Sequence, residues 1–199
     1  MDFADLKTEL AERGFDYLSD ARLARYINLA YHEVCEQALW PFLQAESSGT
    51  APLVIANLRM VESVEDSTNQ CKLAPIDRRA LTDGYPGLPD TGSPSFYYFT
   101  GQTALAVYPA SDDAQITVRY WRSPADLSDD ADEPAVPTRY QYAIVDYAVA
   151  RAASDNGEPD KALAARQEGD RLVEFMLQSL IDPQADRSSL QALGDGTDW

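Results

Sequence analysis

Apolar positions recur at helical spacing at both ends of the chain and at strand spacing in its middle. Phe3, Leu6 and Leu10 predict a short amphipathic helix over residues 2–13, stopped by Gly14. Leu23, Tyr26, Ile27, Ala30, Tyr31, Val34, Ala38 and Leu39 form one stripe. They predict a second helix, capped by Ser19 or Asp20 and ended by Pro41. A third helix starts near Thr138, where Thr138 and Gln141 suit a capping box, and buries Ile144, Val145, Ala148, Val149 and Ala152. Asp155-Asn156-Gly157 breaks it, and Pro159 suits the first turn of a fourth helix. That helix carries Leu172, Val173, Met176, Leu177 and Leu180 in one seam, and small residues, Ala162, Ala164, Ala165 and Gly169, in its first half.

Between Thr50 and Trp121 the period changes to two. Leu53–Leu58, Met60–Glu65 and a short run at Lys72–Ala74 read as strands, and the Gly- and Pro-rich stretch from Asp77 to Ser95 as one helical turn and a loop. Phe96–Phe99, Ala104–Tyr108 and Gln115–Trp121, joined by tight turns, predict an antiparallel meander. Residues 182–199 hold Pro183, two glycines, several Ser and Asp and few apolar side chains, the composition of a flexible tail.

The expected fold is therefore α+β. A four-helix bundle (two N-terminal and two C-terminal helices) carries a central β-rich antiparallel insertion, with an extended C-terminal tail. The expected divisions are 1–49 with 138–181 for the bundle, 50–137 for the insertion and 182–199 for the tail.

Charge narrows the partners. There are 33 Asp and Glu against 16 Lys and Arg, a formal charge of -17. Such a surface repels nucleic acid and anionic membrane. It suits simple solubility, a basic partner, or a passage through which DNA slides without sticking. Met1–Asp5 is acidic and lacks the apolar core of a signal peptide, and no run approaches the ~18 apolar residues of a membrane span. This reading puts the chain in the cytoplasm of the cell that makes it unless a larger particle carries it out.

Candidate chemistry is sparse. His32 is the only histidine, and its polar companions at helical spacing are Asn28 and Glu36. Cys35 lies in an apolar stripe and reads as core; Cys71 starts a strand-like run. One His and two distant Cys supply no zinc set, and no phosphate loop, dinucleotide fingerprint or nucleophile elbow occurs. The acids Asp126, Asp129, Asp130, Asp132 and Glu133 lack the glycine and spacing of a calcium loop, so a solvated loop is the simplest reading. No catalytic residue, metal or cofactor is expected.

Aromatic residues carry more. A single meander leaves one face without cover, and alternation puts Tyr97, Phe99, Arg119 and Trp121 on it. Tyr, Trp and Arg are favoured at interface hot spots, so this face is expected to meet a neighbouring copy or another component.

Several stretches resemble the adaptor, or head-completion, proteins of tailed phages. Phe3 to Phe15 is similar to that family's opening helix and turn, and Arg25 to Val34, with its Ile27-Asn28-Leu29-Ala30-Tyr31 core, to its signature helix. Trp40-Pro41-Phe42-Leu43 resembles that helix's end. Pro94 to Tyr98, Leu105 to Pro109 and Val118-Arg119-Tyr120 resemble its central strands, and Pro137 to Tyr140 its return to helix. The resemblance implies a non-catalytic neck protein of the virion. It implies a homo-oligomeric ring of twelve copies, with the portal protein above and a downstream tail or neck protein below. DNA would pass through its channel without sequence-specific binding. It also suggests that the tail docks on the portal, and Leu190, Leu193 and Trp199 are the apolar anchors available for that. Alternatives are another ring-forming tail component, such as a tail-terminator or tail-completion protein, and a monomeric acidic binding domain.

Overall fold

A computed structural model of the chain describes residues 1–84 and 91–181. Its elements run α1 (Phe3–Leu10), α2 (Asp20–Glu36), β1 (Gln44–Thr50), β2 (Leu53–Val54), β3 (Leu58–Asp66), β4 (Cys71–Lys72) and β5 (Ala74–Pro75). Then come α3 (Arg78–Gly84), β6 (Phe96–Phe99), β7 (Ala104–Tyr108), β8 (Gln115–Arg122), α4 (Tyr142–Asp155) and α5 (Pro159–Leu180). They form two compact units: Met1–Phe42 with the described residues from Pro124 onward, and Leu43–Ser123.

In the helical unit, Asp2 caps α1 in a capping box with Asp5, so both carboxylates serve orphan N–H groups. A wide turn over Ala11–Phe15 follows, with Gly14 at φ 94°, a conformation that side chains avoid. α2 buries Leu23, Tyr26, Ile27, Ala30, Tyr31, Val34 and Cys35 along one stripe. It stops at Glu36, before Pro41, and Trp40 folds back to donate its indole N–H to the Val34 carbonyl at 2.9 Å. α4 is buried from Ala143 to Ala150, because α2 packs on one side and α5 on another. Thr138–Tyr140 forms a 3-10 turn before α4 without a side-chain cap. The expected capping box is absent because the Gln141 side chain donates to the Val136 carbonyl instead.

The α+β class holds, but the expected four-helix bundle with a meander insertion does not. Among the described residues there are five helices and two four-stranded sheets. α1 has only eight residues, since Gly14 turns the chain early, and α3 lies in the other unit. The first sheet has the order β1-β8-β3-β4 and the second β2-β7-β6-β5. β6 and β7 do form a hairpin, but β8 leaves it. Pro109 and the polar residues after it carry the chain across, and β8 inserts between β1 and β3. β5 pairs with β6 in parallel. β1 reads Gln-Ala-Glu-Ser-Ser-Gly-Thr and has no apolar alternation to announce it; Ala45, Ser47 and Gly49 face Tyr120, Val118 and Ile116 across the ladder. One core, with Ile55, Val64, Leu105, Val107, Ile116 and Val118, takes side chains from both sheets.

Candidate functional site

Residues 124–137 are held against the helical unit at several points. The Asn28 side chain donates to the Leu127 carbonyl at 3.0 Å and accepts from the Leu127 N–H at 2.8 Å. One turn on, the Tyr31 hydroxyl accepts from the Ala135 N–H at 3.0 Å. His32 Nε2 lies 2.6 Å from an Asp126 carboxylate oxygen. At the start of α1, the N–H groups of Phe3 and Ala4 donate to the carbonyls of Asp132 and Asp130. Leu127, Pro134 and Val136 are buried. The segment is thus a strap bonded along its length.

Its carboxylates do local work. Asp132 accepts from the N–H groups of Ser128 (2.7 Å) and Asp129 (2.8 Å), which holds its carboxyl below the usual range. The Lys7 ammonium bonds Asp130 at 2.7 Å and Asp20 at 2.9 Å, and these bonds raise its pKa. The strap's residues are far in sequence from their partners, so helical spacing had pointed only to Asn28 and Glu36 as companions of His32. The one local hint was the Asn28-to-Tyr31 motif itself, whose two polar groups are the grips.

A second network ties α2, α4 and α5. Glu33 accepts from Arg151 at 2.6 Å and from Arg166. The Tyr147 hydroxyl donates to Asp170 at 2.6 Å and accepts from Gln37 at 2.7 Å, while the Arg166 guanidinium covers its ring at 4.4 Å. Burial and Asp170 push the Tyr147 phenol far above its ordinary value. Asp146 is buried with Arg13 at 3.1 Å, and burial raises its carboxyl.

The four aromatic and arginine candidates of the β unit do not share one face. Tyr97 and Phe99 pack against the two-sheet core, edge to face with ring centroids 6.2 Å apart. Burial raises the Tyr97 phenol. Arg119 and Trp121 stand on the other sheet, on the opposite side of β8 from its buried Val118 and Tyr120. Arg119 bonds Glu46 of β1 at 3.1 Å and lies 3.7 Å from Glu65 of β3, a ladder across three strands. Trp121 is half-buried opposite Gln44 and Met60, and Met60 is 50% exposed. Leu190, Leu193 and Trp199, the expected portal anchors, lie outside the described residues.

The family model described as SU10 adaptor protein matches residues 1–193, and the chain belongs to that family of phage head-to-tail adaptor proteins. No curated protein matches the chain.

Proposed function

We propose that the protein assembles as a ring of twelve copies in the virion neck, linking the portal to a downstream tail component and extending the DNA channel. The observation that carries this reading is the family match over residues 1–193. The net charge of -17 supports it, because an acidic ring repels DNA and lets it slide. The bonded strap supports it too, since a stiff helical unit loses little conformational entropy on assembly. The protein works by contact and not by catalysis. It assembles in the host cytoplasm and stays in the particle. Residues 182–199, as an arm anchored by Leu190, Leu193 and Trp199, seat on the portal.

The test is co-sedimentation of the full chain with rings of its cognate portal, followed by cryo-EM of the complex. The expected result is a closed ring on the tail-facing end of the portal, with twelve copies. Failure to bind portal rings at any protein ratio would defeat the reading. Deleting residues 184–199 is expected to weaken portal binding about tenfold or more, the loss of at least one buried anchor, while leaving the melting temperature unchanged.

A further inference from the structure

A groove of about 730 Å³, the size of a small-molecule site, opens in the helical unit between α2, α4 and α5. Leu29 and Leu163 stand in its lining, 40% and 59% exposed, so two large apolar groups are left in water there. Of its three arginines, Arg151 and Arg166 are held by Glu33, and its carboxylate, Asp155, accepts from the Tyr26 hydroxyl at 2.7 Å. Arg25 is exposed and has no hydrogen bond or ion pair among the described residues. The lining thus presents two uncovered apolar side chains and one unanswered cation. Residues 193–199 read Leu-Gly-Asp-Gly-Thr-Asp-Trp, two large apolar side chains with two carboxylates between them. That order is the complement of the lining.

We propose that the groove stows the chain's own residues 182–199. Before the portal is met, Leu193 and Trp199 cover Leu29 and Leu163, and Asp195 or Asp198 answers Arg25. Reach permits it. From Leu163 to Leu180, α5 runs about 26 Å at 1.5 Å per residue. The thirteen residues from Leu180 to Leu193 span up to about 43 Å when extended, enough to run back along the helix. Connectivity selects the occupant. A tethered segment meets its site at an effective concentration in the millimolar range, so a contact of three side chains suffices where a separate molecule would not be held. A second copy fits less well, because two whole chains of charge -17 repel, whereas residues 182–199 bring only four Asp and one Arg. DNA also fits less well, since a single free cation anchors one phosphate at most. The contact is autoinhibitory. It rests on the reading of residues 182–199 as the arm that seats on the portal, and adds a second seat on the arm's own helical unit. A stowed arm is withheld from the portal, so the apparent affinity falls by the fraction of molecules whose arm is free.

Methyl NMR of the full chain tests the groove directly. Wild type is compared with Trp199→Ala and Arg25→Glu at several protein concentrations, and circular dichroism confirms that each variant is folded. An indole beside Leu29 and Leu163 shifts their methyl signals by its ring current. Trp199→Ala is therefore expected to move those signals and to leave those of the β unit unchanged. Arg25→Glu is expected to move the Leu163 signals in the same direction, from another helix. Leu29 and Leu163 signals that ignore Trp199→Ala overturn the proposal, and signals that change with protein concentration overturn it in favour of a second copy. Co-sedimentation with portal rings tests the consequence. With the arm stowed in about two molecules of three, Arg25→Glu is expected to bind portal about threefold more tightly than wild type. Equal or weaker binding overturns the autoinhibition. The two readings fail separately: portal binding with unresponsive methyl signals sinks the stowed arm and keeps the adaptor reading, whereas responsive signals without portal binding do the reverse.

Discussion

The ring of Tyr147 lies against the backbone of α5 at Gly169, where a Cβ would stand 3.5 Å from three ring carbons. That is ordinary van der Waals contact, so the site has room for a methyl group and no more. Glycine inside a helix costs roughly 0.5–1 kcal/mol relative to alanine through backbone entropy. Gly169→Ala is therefore expected to stabilise the protein by about that amount in urea denaturation. Gly169→Leu is expected to destabilise it, because the larger side chain must displace a ring fixed by Asp170 and Gln37. A loss of stability with alanine would show that the two helices tolerate no added atom.

Asn28 is expected to be structural through the strap. Its side chain supplies both partners of the Leu127 backbone, and Leu127 is buried. Asn28→Ala leaves a buried N–H and carbonyl without those bonds, at a cost of about 1–3 kcal/mol. Amide exchange should quicken across residues 125–136 and leave the β unit unchanged. Unaltered exchange in the strap would mean that Tyr31 and His32 suffice to hold it.

These contacts show how unevenly the structure could be read from the sequence. α2 announces itself, because it buries a regular apolar stripe and periodicity reports burial directly, whereas α4 is legible as an almost unbroken apolar run, buried all round from Ala143 to Ala150. The small residues at the start of α5 likewise point to close helix approach, and Gly169 makes it against Tyr147. β1 could not be seen, since a strand whose inward positions are Ala45, Ser47 and Gly49 has no hydrophobic alternation. Tight turns predict that consecutive strands pair, yet β8 finds its partners at β1 and β3, tens of residues away. The strap was hidden for a related reason. Its composition is that of a solvated acidic loop, and what orders it is a set of backbone bonds to Asn28, Tyr31 and the start of α1 that no local pattern records.

Asp146 gives the stability a pH dependence of known sign. Burial raises its folded-state pKa above that of the unfolded chain, and Arg13 offsets only part of the shift. The folded protein then binds this proton more tightly than the unfolded chain. The contribution favours folding fully below the unfolded carboxyl value of about 3.9 and is lost as pH rises through the folded value. Asp146→Asn mimics the neutral form. It is expected to be more stable than wild type at neutral pH, with the gap closing as pH falls towards about 4. Denaturation at the two pH values checks this. A variant weaker than wild type at neutral pH would show that the Arg13 ion pair outweighs burial.

Trp121 and Phe99 should separate assembly from folding. Both were expected on one interface face, but they occupy different sheets and different environments. Phe99 packs against the β core, so Phe99→Ala removes apolar contacts inside the unit. For a half-buried ring the expected cost is about 2 kcal/mol, below the 3–5 kcal/mol of a fully buried one. Portal binding per folded molecule should not change. Trp121 lies on the side of β8 away from that core, beside the exposed Met60, and its indole nitrogen is buried without a hydrogen-bond partner among the described residues. A tryptophan so placed is a candidate hot spot, whose truncation costs about 2 kcal/mol of interface energy or more. Trp121→Ala is expected to weaken assembly on portal rings roughly thirtyfold, the equivalent of that energy. Its loss of folding stability should be smaller than that of Phe99→Ala. Arg119→Ala is the control on the same face. Its guanidinium is exposed and already engaged by Glu46 and Glu65, so assembly should change little. Thermal melts and co-sedimentation of the three variants decide the matter. Normal assembly by Trp121→Ala would remove this face from the interface, and a larger loss of folding stability than in Phe99→Ala would assign Trp121 to the fold.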